Sequence, residues 1–340
     1  MMRKLLSLLA PVALIGAGFA FNAVAADVVT AVKVAQPPKL SAGAADVAWS
    51  KATPLTVKLS GGQHFKDGGT NVLLKAVYSG DMLYMLVQYA DPTQSIRRFP
   101  YQKQADGSWK KLVDPADKGG DDNLYYEDKY ALIWNIGNSI KGFSDQGCMV
   151  MCHAGEAGKP FGNKYTTSEG ETGDIWHMKS IRTGYIGQTD DQFLDSTRFD
   201  KDKAPEAGRK SDPKVGGGYS DVKLVDGKPE FMSKSGIPAN KKGGTYYLKE
   251  EDKVAFDDSK FKAGDEVASI MVAPFTGDRG EIATAIKWKS GIWTAAMSRK
   301  LVTGSKFDVQ FDNMDGTTNS VSRLSTTHKC AMPSTWVRSS

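Results

Sequence analysis

The stretch Tyr125–Glu156 reads YYEDKYALIWNIGNSIKGFSDQGCMVMCHAGE. Its first half is dominated by aromatic and β-branched residues, a composition typical of a buried strand. Its second half is rich in glycine and polar residues, and it contains two of the three cysteines of the chain. The sequence therefore predicts a buried strand within residues 125–140 that leads directly into a loop with two cysteines and a histidine.

Cys148, Cys152 and His153 form a Cys-x3-Cys-His pattern in this loop. Two nearby cysteines followed by a histidine are typical of haem c, whose vinyl groups form thioethers with the thiols while the histidine binds the iron. The common spacer has two residues, whereas Met149–Met151 supplies three. A small disulfide loop is the alternative that these residues leave open. We expect one covalently bound haem c, with His153 as the proximal iron ligand.

Residues 1–25 are expected to be a secretory signal peptide. Arg3 and Lys4 precede an apolar run, which ends in small residues at Ala23–Ala25. An N-terminal membrane anchor is the alternative, but the run is short and is broken by Pro11 and several glycines. We expect cleavage, localisation in the periplasm, and no membrane insertion of the mature chain.

Composition limits the classes of function. Because Arg3 and Lys4 lie in the signal segment, 42 of the 44 Lys and Arg residues remain against 39 Asp and Glu, a net charge of +3. These basic residues are scattered, so no nucleic-acid partner is expected. Three cysteines are too few for a disulfide-based scaffold. No catalytic acid–base pair, phosphate loop or nucleophile arrangement is recognisable, and the chain by itself is not expected to be an enzyme.

The remaining pattern predicts a mainly β protein, an antiparallel β-sandwich with short helices and long irregular loops. Its domain is expected to span residues 26–316, with Trp49 as a packing anchor near the start. Strands are predicted at residues 71–78, 82–89, 266–274, 282–289, 292–301 and 307–311.

Two segments are expected to depart from strand structure. A short helix is predicted after Asp174, because Ile175, Met178 and Ile181 have helical spacing. Residues 195–253 are charged and rich in glycine and proline, and they predict a long, irregular surface excursion without a core.

Seven segments match a known family in their order along the chain: GGQHF, LKAVYSGD, DPTQSIRRFPYQKQADGSWKKL, KYALIWNI, GCMVMCHAGE, GDIWHMKSIRTGYIGQTDDQFLDSTR and WKSGIWTAAMSRKL. They resemble the haem-binding domain of ethylbenzene dehydrogenase-related cytochromes and of the gamma subunits of molybdenum enzymes similar to dimethylsulfide dehydrogenase. The resemblance covers most of residues 55–315. It implies a β-sandwich that holds one haem at its end and transfers electrons in the periplasm. Those gamma subunits hold haem b, with a methionine in the place of His153, whereas the cysteines here imply haem c.

In the related proteins, a lysine or histidine near the end of the chain supplies the second axial ligand, after a strand resembling FGVAVFDN. This sequence departs from that pattern after Gly316, and its tail carries the isolated Cys330. One set of codons for Asn319–Val337 spells FGVSAFDNAQVRHAVHVG in another reading frame. We therefore interpret residues 317–340 as an atypical tail produced by a frameshift, a hypothesis that resequencing the gene tests.

Without that ligand, His177 is the remaining candidate for the distal position, since His328 lies in the atypical tail. The competing role for His177 is a hydrogen bond to a haem propionate beside Trp176. Trp176 is expected to line the haem pocket, as part of an apolar wall that keeps water from the haem. Lys179 and Arg182 are expected to pair with the propionates, because ammonium and guanidinium groups match carboxylates.

The leading hypothesis is a monohaem c-type cytochrome that transfers electrons between periplasmic or membrane-bound respiratory redox proteins. One alternative is a haem-bearing gamma-type subunit of a molybdenum oxidoreductase. Another is a five-coordinate haem that senses small ligands or reacts with peroxide. The third is a β-sandwich without haem, closed by a Cys148–Cys152 disulfide.

Overall fold

The computed structural model describes residues 28–60, 69–115, 124–153 and 163–312, together with three short strands in the C-terminal part. The predicted signal peptide, His64, His328 and Cys330 lie outside the described residues. The predictions made on them stay predictions.

The strands of the described residues are short to medium in length. In chain order the first half comprises β1 (Val28–Val29), β2 (Ala31–Lys33), β3 (Leu55–Ser60), β4 (Thr70–Ser79), β5 (Met82–Ala90), β6 (Tyr101–Lys103), β7 (Trp109–Lys111), β8 (Lys129–Asn135), β9 (Cys152–His153), β10 (Asn163–Lys164), β11 (Gly173–Lys179), β12 (Asp190–Leu194) and β13 (Arg209–Ser211). The second half comprises β14 (Gly216–Asp221), β15 (Leu224–Val225), β16 (Lys228–Pro229), β17 (Phe231–Ser233), β18 (Leu248–Lys249), β19 (Lys253–Ala255), β20 (Glu266–Val267), β21 (Ile270–Thr276), β22 (Ala283–Lys289), β23 (Ile292–Lys300), β24 (Thr318–Ser325), β25 (Met332–Pro333) and β26 (Val337–Ser339).

The helices are short. They are α1 (Phe143–Gln146) and the 3-10 helices Leu40–Ala45, Val47–Lys51, Ile136–Asn138, Gly147–Met151, Gly184–Ile186, Glu250–Asp252, Asp258–Lys260 and Asp278–Gly280. Within the described ranges, none of these helices has the length and apolar character needed to cross a bilayer.

Two seven-stranded sheets form the main body of the described chain. The first sheet has the order β1-β26-β24-β8-β11-β12-β13, and the second has the order β22-β23-β5-β4-β3-β25 with β2 alongside β4. Most neighbours are antiparallel, while the β1–β26 and β2–β4 pairs are parallel. The inner faces share one apolar core, in which Tyr130, Leu132 and Trp134 of the first sheet pack with Met85, Trp293 and other residues of the second. The predicted mainly β, sandwich-like fold is confirmed.

The hairpins predicted from alternation are confirmed. β4 pairs with β5 around a turn at Gly80 and Asp81, and β22 pairs with β23 from Lys289 opposite Ile292. The strand expected before the cysteine loop is β8, and Trp49 is buried as expected. Alternating side chains give each of these strands one face for the core, which is why the pattern identified them.

The helix predicted after Asp174 is wrong, because residues 173–179 form β11 between β8 and β12. Asp174, Trp176 and Met178 lie on the inner face of this strand, and Ile175 lies on the outer face. Both faces are largely buried. A strand covered on both sides lacks the polar alternation that distinguishes strands from helices in a sequence.

The prediction for residues 195–253 is wrong in one respect, since part of this segment contributes to a core. Val222, Met232 and Leu248 are buried together with Tyr101 and Trp109, which come from β6 and β7. A small lobe of two- and three-stranded sheets is built around this cluster. The apolar residues were too sparse in sequence to predict it, because half of the cluster comes from distant segments.

One further prediction about the end of the chain is wrong. Residues 307–311 form no strand, since the backbone N–H of Val309 donates to Asp174 and the Gln310 side chain closes a local loop by accepting from Thr303 N. Conversely, residues 318–325 of the atypical tail form β24, which pairs with β8. An open strand edge binds another backbone without requiring side-chain alternation.

Candidate functional site

The cysteine-bearing loop follows β8 and folds back onto the first sheet. α1 ends at Gln146, and the next residue, Gly147, has a φ of 59°, which glycine readily adopts. The 3-10 helix Gly147–Met151 follows directly. The chain then enters β9, in which the backbone of His153 is paired with Asn163 and that of Cys152 with Lys164. The side chains of Cys152 and His153 lie outside the described part of the structure.

Cys148 is buried in an apolar cluster on the outer face of the first sheet. It is 1% exposed and packs in a group with Ile133, Ile140, Phe143, Met151, Ile175 and Leu194. Met149, its neighbour in the spacer, is 50% exposed. The 3-10 turn therefore directs Cys148 toward the sheet and the first spacer residue toward solvent.

The outer face of β11 carries three different side chains in succession. Ile175 belongs to the Cys148 cluster, His177 follows two residues later, and Lys179 follows two residues after that. Alternate residues of a strand share a face, so Ile175 and Lys179 are roughly 14 Å apart along it. Ala131, the partner of His177 on β8, also packs against the Cys148 cluster. His177 thus borders the cysteine loop on one side and a charged region on the other.

His177 is held in a form suited to binding a metal. Its Nδ1 lies 3.0 Å from Oε1 of Gln192, and because an amide oxygen only accepts, Nδ1 donates the hydrogen bond. Burial, followed by the charges of Lys179 and Lys129, lowers the pKa of His177 well below its usual value. The imidazole is therefore neutral, and its Nε2 keeps a lone pair.

Cations outnumber anions at the far end of this face. Lys179 pairs with Asp190, which also accepts from Arg279 Nε at 2.6 Å, and the Tyr219 hydroxyl lies 3.2 Å from Lys179 Nζ. Arg182 pairs with Glu127. Asp190 is shared between Lys179 and Arg279, and Glu127 is bound by Arg182, so two carboxylates face three cations.

The pKa of Tyr126 shows the effect of this excess positive charge. Burial would raise the pKa of its phenol, but Arg182, Lys129 and Arg98 outweigh that effect and lower the pKa to about 7. The ammonium of Lys129 lies 4.1 Å from the centre of the Tyr126 ring. Three cations around one phenol form an environment that favours a bound anion.

The structure separates the residues that the sequence grouped as a haem pocket. Trp176 is fully buried on the inner face, where it packs at 4.9 Å against Trp134 and donates from Nε1 to Asp174. The Cys148 cluster lies on the opposite face, so this placement argues against Trp176 as a wall of a pocket beside Cys148. Lys179 and Arg182 do lie at the charged end of the outer face, yet Asp190 and Glu127 already bind them.

Sequence reasoning missed Gln192, Lys129, Tyr126 and Asp190. Gln192 and Asp190 come from β12 and reach His177 and Lys179 through strand pairing. Lys129 is the first residue of β8, opposite Lys179 in the register. Correct assignment of β11 as a strand would have identified these cross-strand neighbours, whereas the predicted helix concealed them.

The model of the ethylbenzene dehydrogenase family matches residues 46–322. This chain therefore belongs to the ethylbenzene dehydrogenase family. No curated protein matches the sequence.

Two solved structures of a family 9 carbohydrate-binding module from Caldicellulosiruptor kristjanssonii are similar at a low level. The complex with glucose has a TM-score of 0.29 and 7% identity, covering 87% of this chain and 77% of that chain. The complex with cellotriose has a TM-score of 0.28 and 10% identity, covering 88% and 76%. TM-scores this low support no conclusion about fold or ligand.

Proposed function

We propose that this protein is an exported c-type cytochrome that carries one haem c and transfers electrons. Cys148 and Cys152 would hold the haem covalently, with His153 and His177 as iron ligands. The bound iron would supply a one-electron redox couple. The supporting observation is the arrangement along the outer face of β11, where the buried Cys148 cluster, the neutral His177 and a cationic region follow one another.

The described residues fit such a group. An apolar cluster around Cys148 suits the hydrocarbon edge of a porphyrin, and excess cations suit two propionates. The Gln192 side chain orients His177 and leaves Nε2 available to a metal. If His153 and His177 both held the iron, the group would supply electron transfer and would be less suited to reactions with peroxide.

Membership of the ethylbenzene dehydrogenase family favours a second candidate function, the haem-bearing subunit of a molybdenum oxidoreductase. Both functions use the same site and differ in the partner. Purification from the native cell separates them, because a subunit co-purifies with a large molybdenum-containing protein whereas a free carrier elutes alone.

A haem stain of a denaturing gel tests the proposal, since only covalently attached haem survives denaturation. The chain would be produced with a haem c maturation system, and the pyridine haemochrome spectrum would count one haem per chain. We expect staining of the wild type and its loss in the Cys148→Ala/Cys152→Ala double variant. Met149→Ala is the matched control, because it changes an exposed residue of the spacer. An unstained wild-type chain, with both thiols oxidised to a disulfide, would overturn the proposal.

A further inference from the structure

Four aspartates lie buried close to one another at the inner side of the first sheet. Asp174 lies on β11, Asp191 on β12, Asp212 directly after β13, and Asp308 in the loop that follows β23. Their exposed fractions are 0%, 0%, 3% and 1%. One carboxylate oxygen each from Asp174, Asp191 and Asp308 lies within 4.8 Å of the other two. Buried carboxylates at this spacing repel one another unless something compensates their charge.

Hydrogen bonds orient two of these carboxylates without satisfying them. Oδ2 of Asp174 accepts three hydrogen bonds, from Trp176 Nε1 at 3.0 Å, Arg299 Nη1 at 2.9 Å and Val309 N at 3.0 Å. Oδ2 of Asp308 accepts from Thr303 Oγ1 at 2.5 Å. The Oδ1 atoms of Asp174 and Asp308 have no hydrogen-bond partner among the described residues. The protein therefore fixes one oxygen of each group and leaves the other unpartnered.

The surroundings of Asp191 give further support for a bound cation. Both of its carboxylate oxygens lack a hydrogen-bond partner in the described part of the chain, although the residue is fully buried. Neither oxygen of Asp212 accepts from a donor group among the described residues, and its carboxyl group is hydrogen-bonded to that of Asp308 only if the two share a proton. Leaving a buried polar group unsatisfied destabilises the fold, and more so when the group is charged. Arg299 lies 2.9 Å from Asp174 and 3.9 Å from Asp308, but it supplies only one positive charge for four carboxylates.

We propose that Asp174, Asp191 and Asp308 bind a hard divalent cation such as Ca²⁺, with Asp212 completing the anionic shell. The donors are all oxygen atoms, the ligand type that Ca²⁺ and Mg²⁺ prefer. Oxygens bound to one Ca²⁺ at about 2.3–2.6 Å lie up to about 5 Å apart, which agrees with the observed spacing. The ion would join β11 and β12 to the loop around Asp308. This site lies on the opposite face of β11 from His177 and is independent of haem attachment.

Protonation of the carboxylates is the alternative way to neutralise their negative charge. Burial raises the pKa of Asp174 to about 6, and burial with repulsion from Asp174 and Asp308 raises that of Asp212 to about 9. An Asp191→Asn variant separates protons from a cation. If the cluster is protonated, the variant behaves like the wild type with or without Ca²⁺. If the cluster binds Ca²⁺, the variant loses the response to the ion.

The experiment measures metal content and thermal unfolding of the full chain. We expect about one Ca²⁺ per chain by elemental analysis of protein purified without chelator. After chelator treatment, saturating Ca²⁺ should raise the Tm of the wild type by about 4 °C or more. Asp191→Asn should melt at or above the wild type in chelator, because one uncompensated carboxylate is gone, and below it in Ca²⁺. This reversal of order is not expected of a merely structural residue.

Asp106→Asn is the matched control, because Asp106 is an exposed turn residue that does not belong to the aspartate cluster. This variant should respond to Ca²⁺ like the wild type. The same titration with Mg²⁺ reports which ion the site prefers. The proposal is overturned if purified wild type contains no divalent metal and its Tm does not change with Ca²⁺ or Mg²⁺. It is also overturned if Asp191→Asn keeps the full Ca²⁺ response.

Discussion

The side chains on the two faces of β11 have different surroundings. On the inner face, Trp176 and Met178 pack into the core between the two sheets, and Asp174 is fixed by Trp176 and by residues after β23. On the outer face, Ile175 packs with Cys148, His177 presents a neutral imidazole, and Lys179 joins a group of charges.

This difference indicates where changes should affect stability and where they should affect chemistry. The inner face is surrounded by protein, so substitutions there remove packing that nothing else replaces. At His177 the outer face is only half-buried, and the groups beside it are polar or charged. We expect the free energy of unfolding to respond most to the inner face, and spectral properties of a bound haem to respond most to the outer face.

The largest effect is expected for Trp176→Ala on the inner face. Trp176 is fully buried, packs against Trp134, and has the guanidinium of Arg299 4.9 Å from its ring centre. Removing such a side chain should lower the free energy of unfolding by about 4 kcal/mol, measured by urea denaturation. Trp288→Ala, at a half-buried position on β22, is the control and should cost clearly less. Equal losses for both variants would contradict the importance assigned to the inner face.

A smaller effect is expected for Asp190→Asn, which removes the anion between Lys179 and Arg279 on the outer face. Breaking a buried ion pair should lower the free energy of unfolding by about 3 kcal/mol at neutral pH. Burial would raise the pKa of Asp190, but Lys179 and Arg279 outweigh it and lower the pKa to about 2 from an ordinary value of 3.8.

The stabilisation from Asp190 therefore depends on pH in a defined direction. A carboxyl group with a lowered pKa stabilises the fold fully above its unfolded pKa, and this contribution is lost as the pH falls toward 2. The deficit of Asp190→Asn should be constant above about pH 5 and should shrink below pH 4. Asp202→Asn, at an exposed turn, is the control and should show no deficit in the free energy of unfolding at neutral pH. A deficit that grows on acidification would contradict the role of the ionised carboxylate.

The sequence predicted strands well where one face meets the core and the other meets solvent, as in β4 and β5. The prediction failed at β11, because residues on both of its faces are buried and the sequence therefore lacks alternation of apolar and polar residues. It also failed for the lobe around Met232, whose core is assembled from segments more than 100 residues apart. Periodicity is evaluated within a short window of the sequence, so it does not detect burial that depends on distant segments.

The candidate site shows the same limit. The predicted haem attachment rests on the spacing of Cys148, Cys152 and His153 alone, because the proposed chemistry is local in sequence. The partner of His177, the proposed second ligand, is not local, since Gln192 reaches His177 only through the pairing of β11 with β12. The cations around Tyr126 likewise come from Arg98, Lys129 and Arg182. A sequence pattern cannot identify groups that meet only after the sheet forms.

The smallest effect on stability, and the sharpest test of the outer face, is expected for His177→Gln. His177 is neutral, half-buried and hydrogen-bonded to Gln192, and glutamine keeps a hydrogen-bonding group there, so the free energy of unfolding should change by no more than about 1 kcal/mol. If His177 binds the iron, the ferric spectrum should change from six-coordinate low-spin to high-spin, because the second nitrogen ligand is lost. Gln192→Ala should keep the low-spin spectrum and shift the reduction potential, since it removes only the group that orients the ring. An unchanged low-spin spectrum in His177→Gln would assign the second ligand elsewhere. The tail after Gly316 would then become the place to search, beginning with its reading frame.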